Sequence, residues 1–158
     1  METETGTLWL TADEQRTWRI HLEVSKLLTH QLERDLQPFG LTYNDYEILV
    51  NLSESSEHRM RMSDLARATL QSKSRLSHQI SRMEKSGLVR RENCESDRRG
   101  LFAVLTEEGW ETMRRVAPHH VTAVREHFID LVPTDDQAAL RKALTPVVEH
   151  LRAARGRI

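Results

Sequence analysis

A single cysteine, Cys94, stands among 158 residues, so no internal disulfide can staple the fold, and the chain suits a reducing compartment. Long hydrophobic runs are missing too. The longest apolar stretches are only a few residues, which excludes a spanning helix and a cleavable leader and points to a soluble, cytoplasmic protein with no membrane partner. Metal-site spacings are absent: there is no C-x-x-C or H-E-x-x-H, and His119, His120, His127 and His150 make no i, i+4 ligand pairs. No nucleophile stands beside a base in a recognisable pattern, and no glycine-rich phosphate loop occurs, so the chain reads as a non-enzyme without cofactor or metal. Internal repeats and low-complexity segments are also lacking. A single folding unit over residues 1–158 follows, long enough to bury a sizeable core.

Excess charge of one sign is the last absence, since the formal net charge is −1 and the pI about 6.7. The distribution says more than the total. From His58 to Gly100 there are eleven Lys and Arg against five Asp and Glu, a net of +6 in that window and −7 over the remainder. An acidic body with one basic segment confines polyanion contact to one surface.

The basic segment is also the most patterned. Ser63 is placed to cap a short helix at Asp64-Leu65-Ala66-Arg67-Ala68. After the turn Gln71-Ser72, Leu76, Ile80 and Met83 recur at helical spacing and form the inward stripe of a second helix. At about 100° per residue, Ser74, His78, Ser81 and Lys85 fall opposite, flanked by Arg75, Ser77 and Arg82. Hydroxyls, an imidazole and cations are the groups that hydrogen-bond base edges and neutralise phosphates. Gly87 can end this helix, and Leu88–Glu92 and Leu101–Leu105 read as two strands joined by an eight-residue connector, Asn93–Gly100. Helix, turn, helix and basic hairpin make a winged helix. Its expected partner is double-stranded DNA, with Ser74, Arg75, Ser77, His78 and Arg82 in the major groove and Lys73 and Arg98 on phosphates. Arg99 is the minor-groove candidate, its guanidinium held by Asp97.

The flanks are helical. Thr11-Ala12-Asp13-Glu14 fits a capping box before a helix with Trp18, Leu22, Leu32 and Leu36 on one side and Ile20, Val24 and Leu27 on the other. Two apolar faces require two partners, one of which can be a second subunit. Pro38-Phe39-Gly40 breaks this helix, Thr42–Asp45 caps the next, and Ser53–Glu57 reads as a solvated loop. Thr106 caps a long helix with Trp110, Met113, Ala117, Val121, Val124, Phe128 and Leu131 near a coiled-coil spacing, which Pro118 should bend. A final helix carries Leu140, Leu144, Val147, Val148 and Leu151.

The residues S-x-L-S-H-Q-I-S-R-M-E-K-S-G-L-V-R-R, then S-D-R-R-G and L-T-E-E-G, closely resemble the MarR family of bacterial transcription regulators, and Asp97-x-Arg99 matches that family's wing signature. The resemblance extends over roughly Thr11 to Leu151, in helix pattern more than identity at the flanks. It implies a mainly α-helical homodimer of six helices and a two-stranded wing. Residues 11–37 and 107–155 would supply the dimerisation helices, and 42–105 the winged helix. It implies a repressor of a pseudo-palindromic operator, released by a small phenol or aromatic acid. The cleft for such a ligand would be lined by Trp18, His21, Phe39, Tyr43, Tyr46, Trp110 and Met113, with Arg16 or Arg19 meeting the carboxylate. Two other readings stand beside this one. The winged helix can serve as a protein-interaction module, which the polar outer face opposes, or the regulator can respond to zinc or, through Cys94, to oxidants. Sensing cysteines in the family lie near the first helix, whereas Cys94 is in the wing.

Overall fold

The computed structural model describes residues 8–94 and 97–155, the side chains of 97–99 excepted. Two compact units divide the chain at residue 121.

In the first unit, α1 (Ala12–Leu36) opens with the expected capping box: Thr11 Oγ1 accepts from the Glu14 amide, and the Glu14 carboxylate takes the Thr11 amide. Only its last turns are buried, through Leu32 and Leu36, while Trp18, Ile20, Val24 and Leu27 stay exposed. A 3-10 turn at Gln37–Phe39 reverses the chain into α2 (Tyr43–Glu54). Thr42 and Asp45 form a second reciprocal box at its start. Ile48, Leu49 and Leu52 drive α2 through the middle of the core, where Leu65, Leu76, Ile80, Met83, Val89 and Val116 meet them.

The solvated loop expected at Ser53–Glu57 is shorter and more ordered than its composition suggested. α2 runs to Glu54, Glu57 and His58 take left-handed backbone, and a strand not anticipated follows, β1 (Arg59–Arg61). It pairs antiparallel with β3 (Asp97–Leu105), Met60 opposite Ala103, and β3 pairs in turn with β2 (Val89–Cys94). The sheet thus has three strands in the order β1-β3-β2 rather than two. Arg-Met-Arg carries no alternation long enough to announce a strand; backbone hydrogen bonds to β3 make it one. The connector also shrinks, because β2 continues to Cys94 and β3 starts at Asp97, with a register irregularity at Asn93/Cys94.

α3 (Met62–Ala68) begins one residue before the expected cap: Arg61 is the N-cap residue, with no side-chain cap bond, and Ser63 lies inside the first turn. α4 (Lys73–Lys85) is capped by Ser72 Oγ, which accepts from the Arg75 amide at 3.3 Å. Both helices end in the same motif. After α4, Gly87 N donates to Glu84 O and Leu88 N to Met83 O, with Gly87 left-handed at φ 73°. After α3, Leu70 N donates to Arg67 O and Gln71 N to Ala66 O, and the left-handed position, φ 56°, is occupied by leucine. Glycine suits that position because it has no Cβ to clash, whereas an L-residue there costs roughly 1–2 kcal/mol.

α5 (Glu107–His127) is capped by Thr106, whose hydroxyl accepts from Gly109 N and donates to Gly87 O. Pro118 lies inside the helix without ending it. The second unit, residues 122–158, holds the end of α5, a 3-10 turn at Ile129–Leu131 and α6 (Thr134–Arg155). Gln137 Nε2 ties α6 to that turn through Ile129 O and Val132 O. Leu144, Val147, Val148 and Leu151 of α6 are exposed. Among the described residues no helix is long and apolar enough to cross a membrane.

Candidate nucleic-acid interface

α4 is fixed from beneath by Leu76, Ile80 and Met83, all buried, as the spacing required. Its opposite face projects Lys73, Ser74, Arg75, Ser77 and His78 into solvent. Among the described residues no ion pair engages Lys73, Arg75 or Lys85. The sheet cations, by contrast, are largely committed: Arg59 pairs with Glu57 and Glu92, Arg90 with Glu92, and Arg59 and Arg61 stack over the Phe102 ring at 5.0 and 5.6 Å. Compared with the sheet, α4 therefore carries the cations that no described carboxylate engages.

Two residues expected at base edges are engaged inside the protein. Arg82 turns back to Asp45, with Nη2 2.6 Å from Oδ1. Asp45 is 2% exposed and also accepts from Gln79 Nε2 at 3.0 Å and from the Thr42 amide. A carboxylate taken that far from water demands such partners, so Arg82 and Gln79 together peg the C-terminal half of α4 to the start of α2. Ser77 gives its carbonyl and hydroxyl to Arg91 Nη2, at 2.6 and 3.2 Å. The same nitrogen reaches Ser81 Oγ at 3.1 Å, and Glu84 receives both the Arg91 amide and its guanidinium. Arg91 thus binds β2 to one flank of α4. Sequence reasoning missed this residue, because only the pairing of β2 with β3 sets which of Arg90 and Arg91 faces the helix; Glu84, seven residues earlier, was the available signal. The side chains of Asp97, Arg98 and Arg99 lie outside the described residues, and the backbone places all three on β3.

The aromatic set is dispersed over several pairings. Trp18 stacks on His21 on exposed α1. Tyr46 and Tyr43 face His120 at 4.4 and 6.3 Å, Phe39 meets His119 at 5.0 Å, and Trp110 meets His58 at 4.7 Å. Met113 packs against the core. His120 Nδ1 is buried with no hydrogen-bond partner among the described residues, and burial holds the ring's pKa below its ordinary 6.5 against the opposing pull of Asp35. Arg16 is paired with Asp13 on its own helix. A cavity of about 230 Å³ opens elsewhere, between α2, α4 and the start of α5, lined by Asp45, Arg82, Thr112 and Arg115, with Phe39 the one member of the expected set on its wall. Cys94 is a buried thiol with Arg61 Nη2 at 3.3 Å. No group of three or more potential metal ligands occurs among the described residues.

This geometry agrees with comparisons to known proteins. The family model described as MarR family matches residues 39–100, from the 3-10 turn after α1 into β3. AbsC, a MarR family transcriptional regulator from Streptomyces coelicolor, is 75% identical, with 93% of this chain and 99% of that one covered at a TM-score of 0.90. Sco3205, from the same organism and solved in complex with DNA, is 46% identical, with 92% and 91% covered at a TM-score of 0.89. The regulator PecS of Dickeya dadantii (strain 3937) is 28% identical over 129 residues, 81% of this chain and 77% of that one. A helix pair with α4 capped by Ser72, a three-stranded winged sheet and likeness along nearly the whole chain lead to one conclusion: this chain belongs to the MarR family of DNA-binding, winged helix-turn-helix transcriptional regulators.

Proposed function

We propose that the chain acts as a homodimer that reads a pseudo-palindromic operator and represses by occluding a promoter. The observation that carries this reading is the outer face of α4. Ser74 and His78 stand exposed there, and Lys73 and Arg75, on either side of Ser74, make no ion pair among the described residues. The DNA complex of the 46% identical Sco3205 supports it. Ser74 and His78 supply base contacts and Arg75 and Lys73 hold the flanking backbone, with Arg98 on phosphate and Arg99, steadied by Asp97, in the minor groove. Two reading helices related by a two-fold axis then meet successive major grooves on one side of the duplex.

Fluorescence anisotropy with footprinted fragments tests this. Ser74→Ala and His78→Ala should each relax base preference at one operator position per half-site, at a cost of about 1–3 kcal/mol there. A uniform loss over all sequences would move both residues to the phosphate backbone. Release by a small aromatic acid is a second reading, favoured by the Tyr43, Tyr46 and His120 ring cluster on the first turns of α2 and on α5. A ligand there releases DNA only by binding the DNA-incompetent form more tightly. Aromatic acids added to the preformed complex should therefore lower operator affinity.

A further inference from the structure

Between Gln37 and His120, the described residues include only two exposed large hydrophobic side chains, Leu70 and Leu101. Leu70 is the more extreme at 69% exposed, and it occupies the left-handed residue of the turn that delivers α4. Folding explains neither property. At the end of α4 the same hydrogen-bonded motif is closed by Gly87, which meets the conformation without a Cβ. A glycine at position 70 would close α3 equally well, and the leucine side chain recovers little by packing.

The position suggests another use for the side chain. Leu70 stands two residues before Ser72, the cap of α4, and Arg67, Lys73 and Arg75 around it are exposed cations. In helix-turn-helix proteins the N-terminal residues of the reading helix meet the base edges, so this turn arrives at the duplex with them. The 5-methyl of thymine is the one apolar group on the major-groove edge of the base pairs. The polar residues Ser74 and His78 cannot sense it, whereas an aliphatic side chain can, by removing both apolar surfaces from water.

We propose that Leu70 is a specificity-determining residue that packs on a thymine methyl at the edge of each half-site. The proposal rests on α4 being the reading helix. Its test uses the full-length chain and its footprinted operator, with each thymine replaced in turn by deoxyuridine, which lacks only the methyl. Wild type should lose roughly threefold in affinity at one symmetry-related thymine. Leu70→Gly should melt higher by about 2–4 °C, because glycine relieves the left-handed backbone, yet bind the operator roughly fivefold more weakly. It should also be indifferent to deoxyuridine at that thymine alone. A structural role would move stability and affinity in the same direction. Leu70→Asn, polar but tolerant of the left-handed region, should show the same lost methyl sensitivity. Leu70→Gly binding as tightly as wild type, or the deoxyuridine penalty surviving in both variants, would overturn the proposal. Failure of the wild-type chain to bind any upstream fragment would instead sink the DNA-reading assignment, and the proposal with it.

Discussion

At Gly109 the first turn of α5 comes down on the carbonyl of Leu88, and a Cβ there would overlap that oxygen and the Leu105 side chain. The approach is reinforced by Thr106, whose hydroxyl bridges Gly109 N and Gly87 O. Neither backbone side of this contact can yield as a flexible side chain would. Gly109→Ala should therefore destabilise the fold by about 1–3 kcal/mol, seen as a lowered thermal midpoint with no direct effect on the α4 face. An unchanged midpoint would mean that α5 slides freely on Leu88. In the sequence Leu105-Thr106-Glu107-Glu108-Gly109 read as a cap, and the cap is there; that its glycine also marks a close approach was not legible, since the opposing carbonyl lies more than twenty residues upstream. Arg82 shows the same limit. Helical phase put it on the flank of the outer face correctly, but the buried carboxylate that claims it, Asp45, belongs to another helix.

Between elements, the Arg91 junction decides how the wing is carried. Its guanidinium touches Ser77, Ser81 and Glu84, so α4 and β2 are tied along about two helical turns. In Arg91→Ala the wing strand loses that attachment while Ser74 and His78 keep their places. Operator affinity should fall several-fold, with base preference at the Ser74 and His78 positions retained. Faster amide hydrogen exchange in β2, measured without DNA, should accompany it. A loss confined to base preference would contradict this division of labour. The elements that local chemistry announces, α1, α2 and α4 with their side-chain caps, were readable because a cap and an apolar period are neighbours in sequence. The third strand and the extension of the two wing strands beyond Glu92 and before Leu101 were not. Arg59–Arg61, the Asn93–Cys94 end of β2 and the Asp97–Gly100 start of β3 are mostly charged and polar, and they become strands through backbone pairing, with partners some forty residues away in the case of β1.

For the whole molecule the open question is what covers α1. Ile20, Val24 and Leu27 are 42–63% exposed along one side of the helix, an apolar stripe of the kind that marks an association surface, and Trp18 is exposed on the other side. α6 likewise exposes Leu144, Val147, Val148 and Leu151. Sedimentation at micromolar concentration should give one dimeric species, and replacing Ile20 and Leu27 together with Glu should yield monomer that has lost operator binding. A stable monomer from the unaltered chain would leave two-site reading without a basis. The stripe on α1 also has a consequence for the cell. When two chains are needed to hide it, the supply of working regulator below the dissociation constant grows with the square of the amount synthesised. Modest drift in expression is then amplified into a steeper change in promoter occupancy, and a gene placed under this protein responds to regulator dosage more sharply than a single binding event would allow.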